Sequence, residues 1–85
     1  MAYNILIKRD AEKELAALPK MYGIAIVEAI CKLADEPRPW GSKKLKGMKN
    51  TYRIRVSMYR VVYTIQDAIL CVDIIRVAHR KEVYE

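Results

Sequence analysis

The stretch Thr51-Tyr-Arg-Ile-Arg-Val-Ser-Met-Tyr-Arg-Val-Val-Tyr-Thr-Ile-Gln66 decides how this 85-residue chain folds. Tyr52, Ile54 and Val56 alternate with Arg53 and Arg55, the period-two pattern of a strand with one apolar face. After Ser57-Met58 the alternation resumes, with Tyr59, Val61, Tyr63 and Ile65 on one face and Arg60, Val62 and Thr64 on the other. The spacing predicts a β-hairpin turning at Ser57-Met58, although the Asn-Gly or Asp-Gly pair that two-residue turns favour is absent. In that register Arg55 lies directly across from Arg60, with Arg53 one step along. Like charges opposed on a sheet destabilise it, by roughly 0.2–1 kcal/mol. Three guanidiniums on one face make sense where a phosphate lies between them, because the planar fork suits bidentate phosphate contact.

Working outward, residues 37–66 hold eight bases (Arg38, Lys43, Lys44, Lys46, Lys49, Arg53, Arg55 and Arg60) and no acid. Five bases and six acids precede the segment, and three and four follow it, so the net charge of +6 belongs to this one stretch. Charge concentrated in this way points to a polyanion-binding face. Lys43, Lys44, Lys46 and Lys49 crowd a loop between Arg38 and Asn50 and read as phosphate-steering groups beside the arginine hairpin. Trp40, following a proline, is expected to plug an edge of the core. Stacking on a base is its other use.

The remaining segments supply a scaffold. Tyr3, Ile5 and Ile7 alternate with Asn4 and Lys8, a short first strand. Asp10 is placed to cap a helix, with Glu12 and Glu14 in its first turn, where the helix dipole favours acids. Ala11, Leu15 and Leu18 are its buried stripe, and Pro19 ends it. A second helix, from Lys20 to Asp35, buries Tyr22, Ile26, Ile30 and Leu33 with Val27 beside them, and stops before Pro37 and Pro39. The two helices predict an antiparallel hairpin whose apolar face covers a sheet. Ile69–Val77, apolar on both faces except at Asp73 and Arg76, predicts a central strand. Parity puts Asp73 on the arginine face, where it is expected to sit beside Arg60 as a structural partner. The ending Ala78-His-Arg-Lys-Glu-Val-Tyr-Glu85 carries His79, Arg80 and Tyr84, none of which a core pattern requires.

The expected fold is therefore α+β: an N-terminal strand and a helical hairpin packed on a mainly antiparallel twisted sheet, one domain over residues 1–85. A composition of 53% hydrophobic and 31% charged residues suits a folded domain of this size. No apolar run reaches the ~18 residues of a membrane span, and the N-terminus lacks the apolar core and cleavage site of a signal peptide. Cys31 and Cys71 stand far apart in apolar segments, and the chain has one histidine, so no zinc set is expected. Both cysteines are expected to be buried thiols of a reducing cytoplasm. No metal or cofactor is expected.

Taken together, Ala11-Glu-Lys-Glu-Leu15, Pro37 through Lys44-Leu-Lys-Gly47, Tyr52-Arg-Ile-Arg-Val56, Tyr59-Arg-Val-Val-Tyr63 and His79-Arg-Lys-Glu-Val-Tyr84 resemble the RelE-type toxins of bacterial and archaeal toxin–antitoxin modules. The resemblance implies a fold related to microbial ribonucleases and the metal-free cleavage of mRNA in the ribosomal A site. It also implies a cognate antitoxin that holds the activity in check. By position it assigns catalytic roles to Arg53, Arg55, Arg60, Arg80 and Tyr84. Arg60 would meet phosphoryl charge, Arg80 assist the leaving group, and Tyr84 stack on or orient a base. The best-known members carry lysines where this chain has Arg53 and Arg55. Arginine does not deprotonate, so the base must come from elsewhere, and His79 has a suitable unperturbed pKa near 6.5. Two other functions stay open: a gyrase-poisoning toxin resembling ParE, whose members usually lack the Arg80–Tyr84 ending, and a non-catalytic RNA- or ribosome-binding domain.

Overall fold

The computed structural model describes residues 2–79. In chain order these form β1 (Asn4–Ile7), α1 (Arg9–Ala16), α2 (Lys20–Lys32), β2 (Lys43–Lys44), β3 (Thr51–Val56), β4 (Tyr59–Gln66) and β5 (Cys71–His79), with a single 3₁₀ turn at Asp67–Ile69. The five strands make one sheet in the order β1-β5-β4-β3-β2. Only the β1–β5 pair is parallel. The α+β fold expected from the sequence is present, and β5 has the central place its two-sided apolarity implied.

The hairpin takes the predicted register, with Val56 opposite Tyr59 and Arg55 opposite Arg60. Ser57, the first turn residue, has φ +57° and Met58 does not share the positive sign. That sign pattern is the one a type II′ turn needs, so a serine stands where glycine is favoured. The turn forms because the two apolar faces lock it. Ile54, Val61, Tyr63 and Ile65 join Val72, Ile74 and Val77 of β5 in one core with Ala11, Ile26, Ile30 and Leu33 of the helices. A slip of one residue would turn every one of those strand side chains to the other face.

Glu14 ties α1 to the sheet where β1 has ended. One carboxylate oxygen accepts the Val77 N–H at 2.8 Å and the other accepts from the Arg76 guanidinium at 2.9 Å. The second oxygen thereby offsets the charge of Arg76 on β5.

Several expectations are corrected. Asp10 lies inside the first turn of α1, and Lys8 occupies the N-cap position without a side-chain bond. Val27 and Cys31 of α2 are exposed, because the stripe Ile26, Ile30 and Leu33 takes the whole buried face and leaves its neighbours turned outward. Cys71 is buried as expected. Asp73 shares the arginine face but stands opposite Thr64, whereas Arg60 stands opposite Ala78, five residues along β5. The partners of Asp73 are Gln66, Cys71 and, at 3.9 Å, Lys8. Trp40 plugs nothing: its side chain is wholly in solvent.

Candidate functional site

Residues opposed across strands share a face, so the ladder alone sorts the basic groups. Lys43 of β2 faces Arg53 of β3, and Arg53 in turn faces Val62 of β4. One row further, Arg55 faces Arg60 and Arg60 faces Ala78. Lys43, Arg53, Arg55 and Arg60 therefore occupy two adjoining rows of the sheet face turned away from the helical core. They are not equally accessible. Arg55 is exposed, Arg60 is half-buried and Arg53 is only 4% exposed. Arg53 is thus a buried member of the face, with the exposed Lys43 across the ladder and Arg55 two residues along its own strand.

The four lysines do not lie together. Lys43 joins the arginine face, while Lys44 faces Tyr52 on the opposite one. Lys46 and Lys49 belong to the following turn, where they line a separate surface depression with Leu45, Gly47 and Met48. His79 is also placed apart from the arginines. It stands opposite Tyr59, on the core side of the sheet, with the two rings in edge contact at 5.9 Å between centroids. Since Ala78 takes the position across from Arg60, the strand's alternation sends His79 to the other side. Arg80 and Tyr84 lie outside the described residues.

The loop carrying the lysines is braced at its start by Arg38, which the sequence reading counts among the polyanion-binding bases and which the fold pairs with an acid. Arg38 donates to both carboxylate oxygens of Asp67, the shorter contact being 2.8 Å, and also to the Tyr52 hydroxyl at 3.2 Å. Its guanidinium lies over the Tyr52 ring, 5.2 Å from the centroid. The Tyr3 hydroxyl donates to the same carboxylate at 2.6 Å. These donors, Arg38 first and Tyr3 second, hold the Asp67 carboxyl below its ordinary range. Beside this brace the buried Tyr63 donates its hydroxyl to the Pro37 carbonyl at 2.7 Å, and burial pushes its pKa up to about 12. An acid just past the hairpin, 29 residues from the arginine it holds, could not be paired from sequence spacing.

A cleft of about 410 Å³ opens beside the cationic rows, lined by Trp40, Gly41, Lys43, Arg53, Ile54 and Arg55. A second cleft, of about 500 Å³ and mostly apolar, lies between α1 and α2 and is lined in part by Leu15, Leu18, Ile24 and Val27. It has no part in the cationic rows. Among the described residues no group of histidine, cysteine and carboxylate side chains could hold a metal, and no helix is long and apolar enough to cross a membrane. Charge stabilisation at an oxyanion and anchoring of a polyanion are what this face can do chemically.

Residues 5–84 match the family described as "ParE toxin of type II toxin-antitoxin system, parDE". Toxin RelG of Mycobacterium tuberculosis is 33% identical over 85 residues, covering 99% of this chain and 98% of the relative. The chain belongs to the RelE/ParE family of type II toxins. Its fold is that of solved RelE structures. The archaeal RelE–RelB complex from Pyrococcus horikoshii superposes with a TM-score of 0.84 at 28% identity, covering 98% of this chain and all of the other. The isolated Escherichia coli RelE toxin gives 0.82 at 29% identity, over 99% of this chain and 89% of that one. Several of these RelE/ParE homologues were crystallised with their antitoxin RelB.

Proposed function

We propose that this RelE/ParE toxin is a ribosome-dependent endoribonuclease that cleaves mRNA in the A site and so stops translation in the cytoplasm. The observation that carries the reading is the direct opposition of Arg55 and Arg60 on an open sheet face. Two guanidiniums opposed in this way present planar donor forks that suit a phosphate lying against both. In the reaction, the 2′-oxygen of one nucleotide attacks the adjacent phosphorus and loses its proton. The bond from phosphorus to the 5′-oxygen breaks, and that oxygen gains a proton. The products are a 2′,3′-cyclic phosphate and a 5′-hydroxyl. Arg60, with Arg55, meets the charge that builds on the phosphoryl oxygens. Arg53 adds field from its buried place, and Lys43 with the loop lysines draws the RNA in. Arg80 assists the leaving oxygen and Tyr84 orients a base, the roles that the resemblance gives them. No metal enters this scheme.

In this reading neither the arginines nor His79 accepts that proton. Arginines remain protonated, and His79 is turned to the core side, beside Tyr59. The 2′-proton passes to water, and positioning of the 2′-oxygen on the ribosome carries the share of the rate that a dedicated base would add.

The cognate partner is an antitoxin with acidic groups for the cationic face and an amphipathic helix for the apolar cleft between α1 and α2. A second reading, gyrase inhibition, is favoured by one observation: the matching family is described by its ParE members. Induction of the protein followed by pulse-labelling separates the two. Early loss of protein synthesis with a cut in the A-site codon of programmed ribosomes supports the nuclease. Early loss of DNA synthesis with intact mRNA overturns it.

A further inference from the structure

Pro39-Trp-Gly-Ser42 is a tight turn, closed by the Ser42 N–H donating to the Pro39 carbonyl at 3.0 Å. Gly41 has φ +92° and Trp40 has no positive φ, which together make a type II turn with glycine at its third position. A side chain at Gly41 would be strained there. The turn therefore fixes Trp40 at its tip, where 102% relative exposure leaves the whole indole in water. Its flanks are tied down. Tyr63 holds the Pro37 carbonyl, Asp67 holds Arg38, and Lys43 pairs into the sheet. Such an indole forfeits the apolar burial that normally repays a tryptophan. It is held there by a braced backbone, at a cleft that Trp40 lines together with Gly41, Ile54 and the cations Lys43, Arg53 and Arg55. One flat aromatic surface beside three cations matches the two halves of a nucleotide, the base and the phosphate. The cleft volume of about 410 Å³ also falls in the range of roughly 300–1,000 Å³ typical of small-ligand sites.

We propose that Trp40, Lys43 and Arg55 form a nucleotide subsite next to the Arg55–Arg60 pair, in which an RNA base stacks on Trp40 while its phosphate lies against Lys43 and Arg55. The subsite rests on the reading of this face as an RNA-binding one. It seats a nucleotide flanking the one that is cut. Stacking on an indole accepts any base, so the subsite sets register along the strand and leaves codon choice to other contacts.

Trp40 is the only tryptophan of the chain, so its emission reports on this position alone. The full chain is titrated at low salt with a fluorescein-labelled hexa-adenylate, with anisotropy recording binding, and with the unlabelled oligomer for intrinsic emission. The emission should be quenched with the same midpoint as the anisotropy, and inorganic phosphate should leave it unchanged. Trp40→Ala should weaken hexa-adenylate binding by about tenfold or more, as loss of one stacking platform does, while Trp40→Phe stays within about threefold. An exposed side chain has little fold to disturb, and circular dichroism of each variant checks that.

Emission that stays constant while the oligomer binds, or quenching by phosphate equal to that by RNA, overturns the stacking subsite. So does the absence of any binding. Cleavage on programmed ribosomes is measured separately. Wild-type cleavage without quenching removes the subsite and leaves the nuclease reading standing. Quenching without cleavage keeps the subsite and removes the nuclease reading.

Discussion

Arg55 and Arg60 stand directly opposite each other across the β3–β4 ladder, on the sheet face that the helices leave uncovered. Nothing in the hairpin's own register requires two guanidiniums there, since Ile54–Val61 and Val56–Tyr59 already fix it from the other face. The pair sets like charge opposite like charge, which a sheet disfavours and an anionic ligand suits. Replacing the exposed member should therefore leave the protein as stable or slightly more so. Arg55→Thr is expected to raise the unfolding free energy by roughly 0.2–1 kcal/mol at low salt, with the gain shrinking as salt screens the repulsion. Urea denaturation at two ionic strengths measures it, and a loss of stability at low salt would contradict the argument.

Binding to RNA or ribosomes should fall steeply with salt. Each phosphate contact on a single strand contributes a slope of about −0.7 in log K against log salt, so four contacts give about −3. The register makes a finer prediction. Lys43 shares the arginine face and Lys44 faces Tyr52 on the other. Lys43→Ala should therefore reduce the slope by about 0.7, and Lys44→Ala should change it far less. Equal effects from the two would mean that the loop lysines act only as diffuse charge.

The hairpin, its register and the helical stripe were legible because each rests on a periodicity that a buried face enforces over several residues. Arg55 opposite Arg60 followed from counting alone. Trp40 departs from a tryptophan's usual burial, and the local signal for that is a glycine at the third position of a turn after proline. His79 suits a base by the chemistry of its side chain, which carries no information on facing, and the alternation at Ala78–His79 sends it to the other side. Asp73 was given the right face and the wrong neighbour, because parity fixes a face but not a position along it. The Arg38–Asp67 brace could not be found from spacing at all, since it joins two loops through space.

Ser57 holds φ +57° at the first of the two turn residues, a conformation that glycine adopts without strain. Ser57→Gly should raise stability by about 0.5–1 kcal/mol, the relief of a left-handed L-residue less the extra freedom of the unfolded glycine. The denaturation midpoint should move up with an unchanged m-value. A lower midpoint would show that the serine hydroxyl holds the turn by a bond worth more than the strain.

Acid should loosen the brace before the core. The Asp67 carboxyl is held below its ordinary value of 3.8 by Arg38 and Tyr3, so the folded state favours its charged form. A depressed carboxyl contributes its stability fully above the unfolded value and loses it as pH falls through the folded one. Wild type should thus exceed Asp67→Asn in stability at pH 7 and converge with it as the pH falls below the folded pKa of Asp67. Urea midpoints from pH 7 down to pH 2 follow this, and a constant gap across that range would remove Asp67 as its source.

The decisive test of the active face compares Arg60 with His79. Arg60 is half-buried and shares its face with Arg55, so a truncation there removes charge from the place where phosphoryl oxygens would lie. Arg60→Ala should lower single-turnover cleavage on programmed ribosomes by about 100-fold or more, the usual effect of losing one donor to a transition-state charge. Arg60→Lys should recover only part, because a point charge replaces the planar fork poorly. His79 packs edge-on against Tyr59, on the far side of the sheet. His79→Ala should accordingly leave the pH profile of the cleavage rate unchanged, with any effect coming through stability at the end of β5. A flattened profile below pH 7 in that variant would place the imidazole at the reacting atoms and overturn the assignment of His79 to the core side. Full activity in a folded Arg60→Ala protein would overturn the reading of the arginine face itself.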